Sequence, residues 1–178
     1  MRMQTTIVAL ALLGGCGGGG DSGGSGATAA AGNGWNALDA CATTGSATVT
    51  AATGSEVTGT ELGPRVEPAN GGAGFSMCTF TLAGGASMTV LTREAPDDSA
   101  IDQAIAEART LGAAFGSAAE DVPGIGRAAM WTAKPPALQA FIDGRRYATI
   151  SMFTAKSTPD ASDGARAAAT EVARKLAS

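Results

Sequence analysis

The chain has 178 residues, 44 % of them hydrophobic but only 4 % aromatic, which bounds it to one domain with a core of small aliphatic side chains. With 12 basic and 16 acidic side chains and no long block of either sign, its acidic balance disfavours nucleic acid as a partner. Histidine is absent and cysteine occurs three times, so the commonest general base is missing and no paired spacing for zinc exists; neither a metal nor a cofactor is expected.

The N-terminus reads as an address. Arg2 precedes a nine-residue apolar run, Thr5–Leu13, that ends in Leu13-Gly14-Gly15-Cys16. A basic start, a short apolar stretch and small residues before a cysteine form the pattern of a lipoprotein signal peptide. The run is too short to cross a bilayer as a helix. Residues 1–15 are thus expected to be removed and Cys16 to carry a diacylglyceryl thioether and an acylated amino terminus, palmitate being the acyl type. Three acyl chains exceed the two signals that stable anchoring requires. Because Gly17 and not aspartate follows Cys16, sorting to the periplasmic face of the outer membrane is expected in a double-membraned host. Residues 16–34 then form a tether: Gly17–Gly34 holds nine glycines in eighteen residues, with a reach of about 24 Å as a random coil. This run lacks the preceding strand and the Lys-Ser/Thr ending of a phosphate-binding loop.

Residues 35–178 read as one α+β domain. A helical turn carrying Cys41 leads to a short helix over Ser46–Thr53 closed by Gly54. Strands follow over Glu56–Leu62, Phe75–Leu82 and Ser87–Thr92, the last two joined at Gly84-Gly85. Pro64–Gly74 reads as a loop. Asp98 or Ser99 caps a helix whose apolar stripe is Ile101, Ile105, Ala108, Leu111 and Phe115. Pro123-Gly124-Ile125-Gly126 turns the chain into a strand, Ala128–Ala133, which Pro135-Pro136 interrupts. Asp143-Gly144 marks a hairpin between Ala137–Ile142 and Arg145–Phe153. Thr158 and Pro159 start a last helix with Ala165, Ala168, Val172 and Leu176 on one face. These elements predict an antiparallel sheet of five to six strands with the two long helices packed on one face.

Several patterns imitate chemistry. Gly124-x-Gly126-x-x-Ala129 has dinucleotide-loop spacing, but acidic residues and Pro123 precede it where a buried strand is needed. No serine lies in a Ser-x-x-Lys or Gly-x-Ser-x-Gly setting, so a hydrolase is only a remote alternative. Glu94, Asp97, Asp98 and Asp102 cluster without a glycine-turned calcium loop, and the two aspartates in the middle suit helix capping. Arg145-Arg146 reads as a solvated hairpin end. With Cys16 assigned to lipid, Cys41 and Cys78 remain; an exported compartment favours a disulfide between them, two free thiols being the alternative. On the chain-entropy account such a loop would stabilise by roughly 4 kcal/mol.

The order of these landmarks resembles the small exported lipoproteins with a domain of unknown function that are abundant in actinobacterial envelopes. The matching residues are Cys16 with its tether, Asp39-Ala40-Cys41, Cys78-Thr79-Phe80, Pro123 to Trp131, Leu138 to Gly144, and Ala173-Arg174-Lys175-Leu176. The resemblance implies an envelope lipoprotein with a Cys41–Cys78 disulfide and no particular activity. The sequence departs from that pattern at Thr43 and Thr44, where apolar residues are usual, and at Thr48, where an acidic one is.

Together these readings predict a non-catalytic lipoprotein, attached to a membrane through Cys16, that binds a small ligand or an envelope protein. The alternative is a subunit of an envelope complex with no small-molecule pocket. Trp131, Phe141 and Tyr147 are the candidate binding surface if they fall on the sheet face that helices leave open.

Overall fold

The computed structural model describes residues 34–178; Cys16, the apolar run before it and the tether as far as residue 33 lie outside the described residues. Seven strands form one sheet in the order β1-β2-β3-β7-β6-β5-β4, and every neighbouring pair is antiparallel. The strands are β1 (Val57–Val66), β2 (Gly74–Leu82), β3 (Ser87–Glu94), β4 (Glu120–Asp121), β5 (Ala128–Ala133), β6 (Pro136–Phe141) and β7 (Arg146–Phe153). The helices are α1 (Ala40–Thr44), α2 (Ser46–Thr53), α3 (Ile101–Ala114) and α4 (Asp163–Leu176). Among the described residues no helix is long and apolar enough to cross a membrane.

Two rows of the register, three positions apart on every strand, explain the architecture. Cys78, Val90, Ile150, Leu138 and Trp131 lie side by side across five strands, and all are buried in the larger core cluster. Side chains alternate along a strand, so a row of the other parity faces the opposite way. Phe75, Arg93, Tyr147, Phe141 and Ala128 form such a row.

The first face is covered by residues 35–39, α1, α2 and α4. In α4, Ala165, Ala168, Ala169, Val172, Ala173 and Leu176 are buried, and their small size lets the helix backbone approach the sheet closely. Ser162 caps it, its Oγ accepting from the Ala165 N–H at 3.2 Å. Asp163 in the first turn with Arg174 and Lys175 in the last suits the helix dipole. The opening segment is pinned at three points: the Ala40 N–H donates to Ser76 Oγ (2.8 Å), Thr92 Oγ1 donates to the Ala37 carbonyl (3.2 Å), and a disulfide joins Cys41 to Cys78. The cross-link spans 37 positions of sequence, so the expected stapling of the N-terminal helices onto β2 is present.

The fold is thus α+β as expected, with three corrections. The sheet has seven strands where five to six were expected; the addition is β4, whose Glu120 and Asp121 pair with Trp131 and Met130. Two exposed acidic residues complete no alternation that a sequence could display. The two long helices do not share a face: α4 packs on the first, whereas Ile101, Ile105 and Ala108 of α3 pack with Met130 and Phe141 on the second. Periodicity reveals which side of a helix is apolar but not which side of the sheet its connection crosses to. Finally, Leu111 and Phe115 of the α3 stripe are 53 % and 59 % exposed.

Several boundaries also move. The α3 N-cap is Ala100 without a side-chain cap bond, and α4 starts after Ser162 because Pro159 instead bridges Phe153. β1 continues through Pro64 to Val66, which is tolerated on an edge strand where the register is irregular between Leu62 and Arg65. At Pro135 the chain turns through a cis Lys134–Pro135 bond and Pro136 opens β6. The Gly124–Gly126 stretch is a turn into β5, not a dinucleotide loop. A Cβ on Gly126, whose φ is +49°, would lie 2.4 Å from the Phe141 carbonyl oxygen, so the turn requires glycine there.

Candidate functional site

Only part of the second face is covered. α3 lies over β5 and β6, and between it and β7, β3 and the loop from Ala95 to Ala100 runs a groove with a cavity volume of about 310 Å³. Its floor is Phe141 and Tyr147, whose rings sit 4.9 Å apart at 46°. Its helical wall is Ile101, Ala104, Ala108 and Leu111, and the alanines leave the width that larger side chains would fill. Volumes of this size are at the lower end of small-molecule sites.

Polar groups are confined to the floor and the rim. Thr149 Oγ1 donates to Tyr147 Oη at 2.7 Å, and the Tyr147 hydroxyl donates to Gln139 Oε1 at 3.1 Å. Burial raises the Tyr147 phenol above its ordinary range, with the Thr149 hydrogen bond and the Arg93 charge opposing, so it stays neutral and acts as a hydrogen-bonding group. On the rim, Arg145 donates from Nε to the Ala95 carbonyl (2.9 Å) and pairs with Glu94 at 3.0 Å. Asp97 is held below its ordinary range by the Ser99 hydroxyl and N–H. Glu107 accepts from Gln103 Nε2 at 2.7 Å. Arg93 lines the same groove and makes no ion pair among the described residues.

A second cavity, of about 330 Å³, lies between Trp35, the α1–α2 junction and the end of α4. It is lined by Thr43, Thr44 and Thr48, the threonines that follow Cys41. Both short helices nevertheless form, because Asp39 Oδ1 caps α1 at the Ala42 N–H (2.9 Å) and Thr43 Oγ1 bonds the Asn36 N–H and carbonyl. Thr44 Oγ1 and Trp35 Nε1 are buried without a hydrogen-bond partner among the described residues. Arg146 lies over the Trp35 ring at 5.6 Å and pairs with Asp143 at 2.6 Å, which marks this cavity as part of the hairpin's anchorage.

The three aromatic residues proposed from sequence divide between the faces. Phe141 and Tyr147 meet in the groove. Trp131 does not: it is 4 % exposed in the first-face core, because Met130 and not Trp131 has the parity of the second face. Arg145 and Arg146 each hold an ion pair, with side chains 40 % and 21 % exposed, where a solvated hairpin end was expected. The clustered carboxylates disperse, Glu94 to Arg145, Asp97 to Ser99 and Asp102 to Arg127 at 2.8 Å. Sequence reasoning missed Arg93 and Ala104. Arg93 keeps the strand parity of Leu91, and Ala100, Ala104 and Ala108 recur every fourth residue, which was the available signal for both.

No family model, no curated protein and no solved structure matches the chain.

Proposed function

We propose that this chain is an exported lipoprotein, acylated at Cys16 and tethered through residues 16–34, whose domain binds a small, largely apolar ligand in the groove beneath α3. The observation that carries this reading is the groove itself: an aromatic floor and an alanine-lined wall on the face that α3 covers only in part, while α1, α2 and α4 close over the opposite face. Binding without catalysis fits the side chains present. The chain has no histidine, and the groove's acidic groups are each engaged by a neighbouring donor. In a double-membraned host the protein would sit on the periplasmic face of the outer membrane.

The test is titration of the purified protein with a neutral naphthyl fluorophore, compared with Ala104→Trp, which fills the groove from the exposed side of the wall. Saturable enhancement in the wild type that falls at least about tenfold in affinity in the variant, equivalent to about 1.4 kcal/mol, supports the groove as the site. Equal binding by both proteins, or none by either, would remove it. Intact-mass measurement of the membrane-extracted protein tests the anchor separately, a chain starting at Cys16 with added acyl mass being the expected species.

A further inference from the structure

Resting on the reading of the α3 groove as a ligand site, we infer that its ligand is a single-chain amphiphile with an anionic head, the head set at Arg93 and the chain running toward Leu111. The groove is polarised along its length. Arg93 shares a register row with Phe141 and Tyr147, and that row continues to Ala128, beside Arg127, whose guanidinium meets Asp102 in the first turn of α3. Leu111 lies ten positions beyond Ile101 on the same helix, about 15 Å along its axis, where it is half exposed and lines the groove. One end therefore offers a cation and the other an apolar wall.

The lining charges are mixed but separated in place. Asp97 on the loop and Glu107 on α3 keep their charge while accepting from Ser99 and Gln103, whereas Arg93 stands on the strand floor in register with Tyr147. Arg145 is committed to Glu94 and to the Ala95 carbonyl. Arg93 is the lining cation that no carboxylate neutralises among the described residues. Its planar donors suit a carboxylate or phosphate oxygen pair. The neutral Tyr147 hydroxyl, already bonded to Thr149 and Gln139, adds no competing charge. A volume near 310 Å³ admits one short chain and not the paired chains of a membrane phospholipid.

Titration calorimetry with octanoate, octan-1-ol and octylammonium tests this on the intact protein. Octanoate is expected to bind about fivefold more tightly than octanol, the scale of a solvent-accessible charge contact, with octylammonium weakest. Arg93→Gln should bring the affinities for octanoate and octanol together, and Arg93→Lys should restore part of the preference. Equal wild-type affinity for octanoate and octanol, or a preference that survives Arg93→Gln, would overturn the anionic head yet leave the groove as a ligand site. Failure of all three together with failure of the naphthyl probe would remove the site itself. Arg93-dependent sedimentation with vesicles of an anionic two-chain phospholipid, without octanoate binding, would also overturn the inference.

Discussion

The two faces of the sheet share every strand yet are finished differently. On one, α1, α2 and α4 close over the row from Cys78 to Trp131, a disulfide adds a covalent link, and alanines bring α4 against the strands. On the other, α3 covers β5 and β6 but stops short of β3 and β7, leaving aromatic and apolar surface beside an uncommitted arginine. Phe141 is 3 % exposed in a smaller core cluster with α3, and Tyr147 is partly buried against it. The contrast teaches that strand parity decides which side chains join each face and which helices cover them.

That division can be broken or sharpened experimentally. The largest effect is expected on the packed face, where Phe80 is fully buried. Phe80→Ala should cost about 3–5 kcal/mol in urea denaturation, whereas Leu111→Ala on the open face should stay within roughly 0.5 kcal/mol; similar losses for the two would erase the distinction. Next, replacing both Cys41 and Cys78 by serine should lower stability by up to about 4 kcal/mol while leaving probe affinity in the groove unchanged under native conditions. Loss of the probe's binding there would mean that the faces are coupled.

A smaller effect is expected from pH. Tyr147 is raised above its ordinary value of 10.0, chiefly by burial. The folded state therefore favours the neutral phenol: its contribution is complete below about pH 10 and is lost as pH rises through the higher folded value. Thermal unfolding followed from pH 9 upward should show a steeper decline for the wild type than for Tyr147→Phe, and parallel curves would count against a buried, neutral tyrosine. Smallest of all, Asp102→Asn removes the exposed Arg127 partner that ties α3 to the strand beginning at Ala128. It should change stability by less than about 1 kcal/mol, a shift to be read by the same unfolding measurement.

Local chemistry was legible where it is self-contained. Asp143-Gly144 gives a hairpin because Asp143 Oδ1 accepts from the N–H groups of Arg145 and Arg146, both at 2.8 Å, and Gly54 closes α2 in a left-handed conformation at φ +67°. The alternation in β2, β3 and β7 likewise reveals their buried set. What remained hidden depends on contacts distant in sequence. The chain after β3 could return across either face, so α3 and α4 could not be assigned to opposite sides from their stripes. The same limit affected the candidate surface: Phe141 and Tyr147 share one face, but Trp131 differs from Met130 only by parity, and that parity acquires meaning once α4 is known to lie above it. The parity that Arg93 shares with Leu91 puts it on the second face, and its register with Tyr147 brings it to the groove.

Methyl NMR during titration with octanoate puts the division of the faces to its most direct trial. Ligand-dependent shifts are expected at Ile101, Ala104, Ile105 and Leu111, with the methyls of Val90, Leu138, Ile150 and Val172 unmoved. Shifts concentrated in the latter group, or a saturable binding event that moves none of the α3 methyls, would contradict a recognition face separate from the packed one.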